Sequence, residues 1–256
     1  MPDRPTSLVF DRIADRYDET RGGPERGERF AAALEPLFAG RGRALEIGVG
    51  TGVIAHPLAR RGRDVVGVDL SRAMLQAARA RLGGRVAVAD ALQLPFGDAS
   101  IGDAYSVWVL HLVSDVAAVL REVARVLRPG GRYLVVDTSS GGSFGDTDVD
   151  TALERMHREL QGPMRQDDPD RVAALACDVG LVDVGRTVID TAYRDETPAE
   201  RVRLTEERVY SMLWDLDEQT WARVVVPTIA ALRALPDQDR PRSRRSVHGV
   251  LALERT

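Results

Sequence analysis

An open, doubly wound α/β sheet is the fold this sequence predicts, on three observations. Short apolar runs alternate with amphipathic helical patterns from residue 43 to about 137. The runs are nearly continuous in Val, Ile and Leu, which suits strands covered on both faces of a parallel sheet. Three of those in the first half of the chain end on an acid, Glu46, Asp69 and Asp90. Ligands bind at the carboxyl edge of such a sheet.

The strands are expected at RALEIG (43–48), DVVGVD (64–69), RVAVAD (85–90), DAYSVWVL (103–110) and GRYLVVD (131–137). Between them, VIAHPLARRG, SRAMLQAARARLGG and SDVAAVLREVARVLRPGG carry apolar residues three and four apart and end at glycine, as helices do. Ser71 and Ser114 are placed to be N-caps. Upstream, Phe10, Ile13 and Tyr17 share one face of an amphipathic helix. Downstream, a helix is expected in 168–180, a strand in 181–190 and a last strand in 247–255. Residues 138–166 are loop-rich and then helical around ALERMHREL. Residues 191–246 carry two helices. The first opens with the capping box Thr197-Pro198-Ala199-Glu200. The second starts near Asp217 and should kink or stop at Pro227.

Composition bounds the function. The 256 residues are 44% apolar, enough for a sizeable core. A net charge of −4 argues against a general nucleic-acid or acidic-membrane binder. No stretch approaches the roughly 20 apolar residues of a membrane span. The N-terminus has acids where a signal peptide carries its apolar core, so the chain reads as cytoplasmic. One cysteine, Cys177, excludes an internal disulfide and a cysteine metal cluster, and no metal is expected. All 35 basic residues are arginine, so no lysine nucleophile or Schiff base operates here.

The chemistry centres on ALEIGVGTG (44–52), where glycines 48, 50 and 52 follow Glu46. A dinucleotide site wants G-x-G-x-x-G and a P-loop wants Gly-Lys-Ser/Thr; neither is present. Asp69 closes the second run where it can grip both hydroxyls of a ribose. Asp90 closes the third, where a carboxylate can accept from a base amino group. With no phosphate-binding lysine, the set suits a nucleoside lacking a pyrophosphate. The plainer readings are a cap at Asp69, a turn at Asp90, a packing face at Tyr17, a solvated Arg21, and core roles for Met74 and Trp108.

These residues resemble the class I S-adenosylmethionine-dependent methyltransferases, particularly the small-molecule branch. The matching pieces are EIGVGTG, VVGVDLSRAML, VADALQLPFGDAS, DAYSVWVLHLVSD and LREVARVLRPGGRYLVVD, in that order, with FDRIADRYDETRGG before them. The resemblance implies a Rossmann-like, mostly parallel sheet with a helical insertion before the last strand, and S-adenosyl-L-methionine as cofactor. It implies that Gly48, Gly50 and Gly52 let the methionine part lie against the backbone, with Glu46 facing its ammonium. Asp69 would bind the ribose, Leu70 and Met74 would pack on the adenine, and Asp90 with the Ala91 N–H would read its edge. Val107 and Trp108 would border the donor methyl, with Tyr17 and Arg21 in a lid over the methionine end.

Residues 1–256 then form a single domain. Within it, 1–40 is an N-terminal helical lid, 41–137 the cofactor core, 138–190 and 247–256 the rest of the core, and 191–246 a helical insertion that encloses the acceptor with residues 141–165. Methyl transfer from a sulfonium is in-line displacement from an activated donor, so orientation supplies much of the acceleration. Where the acceptor must lose a proton, a histidine base helps. His111, beyond the fourth strand, is the candidate; His157 is a weaker one, and His56 and His248 read as structural. Pro-Cys and Asn/Asp-Pro-Pro-Tyr motifs are absent after the fourth strand, which argues against the nucleic-acid base methylases. The run RPRSRR (240–245) reads as a solvated loop. The expectation is methyl transfer to an O, N or C atom of a small organic molecule. The alternatives are a non-catalytic cofactor-binding subunit, or a tRNA or carrier-protein methyltransferase.

Overall fold

The five runs form strands β1 (Ala44–Ile47), β2 (Val65–Asp69), β3 (Val86–Val88), β4 (Asp103–Val107) and β5 (Arg132–Val136). With β6 (Leu181–Glu196) and β7 (Arg242–Arg255) they make a seven-stranded sheet of order β3-β2-β1-β4-β5-β7-β6. Pairing among β1–β5 is parallel, and β7 is antiparallel to β5. The order reverses between β1 and β4, the switch point at which such sheets hold ligands. The structure is a computed structural model that describes residues 10, 11, 13, 14, 17–20, 22–40, 42–137, 147–161 and 166–256.

Helices α1 (Gly23–Leu34), α2 (Ala55–Arg60) and α3 (Arg72–Leu82) supply one apolar layer, and α4 (Val116–Val126) and α6 (Pro169–Cys177) the other. Successive strand residues point to opposite faces. Ala44, Tyr105, Leu134 and Val136 therefore pack with Phe30, Leu34, Leu58 and Leu75. Leu45, Ile47, Ala104, Tyr133 and Val135 pack with Val119, Leu120, Val123 and Ala176. Both faces of β1, β4 and β5 are covered, which is why these strands read as unbroken apolar runs, whereas the edge strand β3 leaves Ala87 and Val88 exposed.

Local signals set the element ends. Ser71 caps α3, its Oγ accepting from the Met74 N–H at 3.1 Å. The cap of α4 is Asp115, not Ser114: Asp115 has extended backbone and its Oδ1 accepts from the Ala118 N–H at 2.9 Å. The fourth strand stops at Val107, short of the expected residue 110, because Trp108 turns to φ +56.

The described chain clusters into two compact units. The first comprises residues 1–141, 166–189 and 248–256; the second comprises 142–165 and 190–247. The segment 138–190, expected to complete the core, is thus divided between them. In the second unit, α5 (Asp148–Gln161), α7 (Pro198–Glu206) and α8 (Val226–Arg233) close a separate core of Val149, Leu153, Met156, Val202, Leu213, Val225, Ile229 and Leu232. Thr197 caps α7 through the Glu200 N–H at 3.0 Å. Pro227 does not stop its helix. It lies in the first turn of α8, directly after a π-helical turn Trp221–Val225 that absorbs the register change. The last strand starts at Arg242 rather than 247. Arg242 is no solvated loop residue, since its guanidinium grips both Asp148 oxygens, at 3.0 and 2.9 Å. The Arg244 and Arg245 side chains lie outside the described residues.

Candidate active site

The glycine loop leaves β1 at the carboxyl edge of the first unit. Gly48 has φ +72, and a Cβ there would stand 2.4 Å from Val109 Cγ2. Gly50 has φ +53, and a Cβ there would meet nothing within 4 Å. One glycine is thus needed for packing and the next opens a space beside the backbone. The Gly52 N–H closes the turn on the Val49 carbonyl at 2.8 Å.

Asp69 organises the next strand end. Its Oδ2 accepts from the Gly50 N–H and its Oδ1 from the Ser71 N–H, both at 2.8 Å. Burial, opposed by these N–H groups, raises its pKa above the ordinary aspartate value. A carboxylate has about four lone-pair directions, so Asp69 keeps accepting capacity for a ligand's hydroxyl beside its backbone partners. Leu70 is 48% exposed, an apolar side chain open to solvent beside this acid. Asp90 is exposed and forms a tight turn, Oδ1 accepting from the Leu92 N–H at 2.9 Å. Ala91 is buried beside it. Met74 is only 1% exposed and presents almost no surface to a ligand.

Glu46, the third residue of β1, pairs with Tyr105 of β4, and the Tyr105 hydroxyl donates to its Oε2 at 2.9 Å. Burial lifts the Glu46 carboxyl to about 8, with Asp69 adding to the rise and Arg26 opposing it. Val107 is half-buried at the end of β4. Trp108 follows it in the left-handed region, a conformation that costs a bulky residue of the order of 1–3 kcal/mol and clusters at functional sites. Its ring stacks edge-on against Phe30 at 5.6 Å and His248 at 5.0 Å, with the Arg26 guanidinium 5.0 Å from its centroid. Burial, then the Arg26 charge, depresses His248 to about 4, so it stays neutral. Tyr17 lies 5.9 Å from Arg26 and packs on Phe10. Arg21 lies outside the described residues.

His111 sits in the turn Leu110–Leu112, its Nδ1 3.9 Å from Oδ2 of buried Asp167. The sequence offered no sign of Asp167, which reaches His111 from the start of α6. His56 sets its Nδ1 3.2 Å from the Arg81 carbonyl, and His157 lies on α5 in the second unit. No group of three or more metal-ligating side chains occurs among the described residues, and no helix there is long and apolar enough to cross a membrane.

The glycine loop and the strand ends around it fall in the stretch of this chain that is similar to known methyltransferases. Residues 45–135 match the family described as "Methyltransferase domain", just over a third of the chain. A ubiquinone/menaquinone biosynthesis C-methyltransferase of Desulfotalea psychrophila is 40% identical over 143 residues, 51% of this chain and 57% of that protein. A demethylmenaquinone methyltransferase of Roseiflexus castenholzii is 39% identical over 150 residues, 54% of this chain and 63% of that one. The chain thus spans less than two thirds of the length of these relatives.

Solved structures share the fold at low identity. A geranyl diphosphate C-methyltransferase of Streptomyces coelicolor aligns over 88% of this chain and 78% of its own, with TM-score 0.53 and 17% identity. The [4+2]-cyclase SpnF aligns over 97% and 95%, with TM-score 0.58 and 17% identity. A fold shared by proteins of such different names does not fix the reaction.

Proposed function

We propose that this protein transfers a methyl group from S-adenosyl-L-methionine to a small organic molecule. The observation that carries the reading is the convergence of the open backbone at Gly50, the Asp69 carboxylate and the exposed Leu70 at one sheet edge. These groups fit a nucleoside with a short amino-acid tail. Asp69 accepts from the ribose hydroxyls and Leu70 covers the adenine. Asp90 and the Ala91 N–H read its edge, and the Gly48–Gly52 backbone carries the tail. Glu46 holds the tail's ammonium, and Tyr17 covers that end. Met74 supports the adenine side from within. When bound, the cofactor supplies a methyl already activated on a sulfonium.

The chain's own residues then orient and deprotonate. Val107 and Trp108 border the methyl and exclude water from it, which favours an in-line approach. His111 takes the acceptor's proton where there is one to lose, with the Asp167 carboxylate 3.9 Å from its Nδ1 to favour the charge that results. Apo distances of this kind often tighten on binding.

One relative is named a C-methyltransferase of ubiquinone/menaquinone biosynthesis and the other a demethylmenaquinone methyltransferase. The family match covers the cofactor half, so the acceptor is kept to the class of small molecules with an O, N or C nucleophile. The net charge of −4 supports a small molecule over tRNA, and the protein is read as acting in the cytoplasm. The test is incubation with methyl-labelled cofactor and a small-molecule extract. Label should enter a low-mass product as S-adenosylhomocysteine accumulates. Cofactor binding without label transfer would favour the non-catalytic reading, and no binding would refute the function.

A further inference from the structure

We infer that Asp18 and Asp11, two acids of the N-terminal segment, are positioning residues for the cofactor site. The inference rests on the reading of that site given above. Asp18 lies in the helical turn Tyr17–Thr20. Its Oδ1 accepts from the Thr51 hydroxyl at 2.6 Å, and its Oδ2 pairs with Arg81 Nη2 at 2.6 Å. The other Arg81 nitrogen, Nη1, donates to the Thr51 carbonyl at 2.8 Å. Two side chains far apart in sequence, Asp18 and Arg81, thus close a ring of hydrogen bonds on one residue, and that residue stands between Gly50 and Gly52. Thr51 is buried, so neither its hydroxyl nor its carbonyl is left to bulk water.

Asp11 repeats the arrangement at the second turn. Its Oδ1 accepts from the Ser71 hydroxyl at 2.6 Å and from the Ala73 N–H at 3.2 Å. Ser71 also gives its backbone N–H to Asp69. Each N-terminal acid therefore holds the neighbour of a group assigned to the cofactor, Gly50 in one case and Asp69 in the other.

The glycine loop has three successive left-handed glycines at alternate positions, and glycine loses more backbone entropy on ordering than any other residue. An external anchor on Thr51 removes part of that cost before the ligand arrives, which raises affinity by preorganisation. The coupling is reciprocal: a ligand that orders the loop must also strengthen the docking of residues 10–20.

The experiment uses S-adenosylhomocysteine as probe, with the full chain, and titrates it calorimetrically into wild type, Asp18→Ala, Thr51→Val and the double variant. Each single change should weaken binding about tenfold, equivalent to about 1.4 kcal/mol. The double variant should lose little more than either single one, because both remove the same bond. Hydrogen exchange supplies the second readout, and the ligand should protect the amides of residues 10–20 in wild type but not in Asp18→Ala. A purely structural role would lower the melting temperature and leave the dissociation constant of the folded fraction unchanged, and that result would overturn the inference. Additive losses in the double variant would overturn it too. If wild type itself fails to bind the probe, the cofactor reading falls as well, so the two failures are distinguishable.

Discussion

Glu46 and His248 are two buried groups near Arg26 whose protonation is displaced in opposite senses. Glu46 rises from 4.5 to about 8, so between those values the unfolded chain releases a proton that the folded chain keeps. Its contribution to stability therefore falls as pH rises through that window. His248 falls from 6.5 to about 4, so the unfolded chain takes up a proton there that the folded chain refuses. Its contribution falls as pH drops from 6.5 to 4. A cationic ammonium beside Glu46 favours the carboxylate, so ligand binding near pH 7 should expel a proton. Titration of S-adenosylhomocysteine in buffers of different ionisation heat should show that release in wild type and lose it in Glu46→Gln. Equal heats in all buffers would remove Glu46 from the ammonium. Asp69→Ala should weaken the same ligand by about 1.5–3 kcal/mol, the worth of hydrogen bonds to a charged acceptor. Unchanged affinity in a folded variant would contradict the ribose assignment.

At the scale of elements, the glycine loop separates packing from binding. Alanine at either Gly48 or Gly50 incurs roughly 1–2 kcal/mol for the left-handed backbone. At Gly48 it also drives a Cβ into Val109, whereas at Gly50 the Cβ enters open space. Gly48→Ala should therefore lower the melting temperature more, and Gly50→Ala should lose more affinity for S-adenosylhomocysteine. Denaturation and calorimetry on the same two proteins decide it, and the reverse ranking would mean the open side of the loop is not the ligand side.

Strands were legible in the sequence because burial on both faces leaves an unbroken apolar run. The acids were legible because each closes such a run. Asp167 beside His111, and Arg26 and His248 beside Trp108, were not, since no local pattern joins these partners. His248 reaches Trp108 because β7 inserts beside β5, and there the Asp137 N–H bonds the Gly249 carbonyl at 3.2 Å. Met74 sits at helical spacing among apolar residues, a pattern shared by core and site, and its burial leaves it little surface for either adenine or solvent. Ser114 and Asp115 are both cap-forming residue types, and only the backbone turn at Asp115 separates them.

At the scale of the whole molecule, each unit has its own core, and the second is held partly by a buried ion pair. Glu196 meets Arg201 at 2.5 Å with both side chains almost fully buried, and the Arg201 guanidinium lies 4.6 Å from the Tyr210 ring centroid. Arg201→Met would strand a buried carboxylate, a loss of about 3–5 kcal/mol for comparable pairs. Calorimetric melting should show the second unit destabilised, while affinity for S-adenosylhomocysteine, which depends on residues of the first unit, stays the same. Loss of affinity in step with that melting would mean the cofactor site draws on the second unit.

Crystals grown with S-adenosylhomocysteine reveal where the cofactor lies. Electron density should place the ribose hydroxyls on Asp69, the adenine between Leu70 and the Asp90–Ala91 turn, and the amino-acid end along Gly48–Gly52 near Glu46. Density at any other site, with this sheet edge empty, would contradict the account.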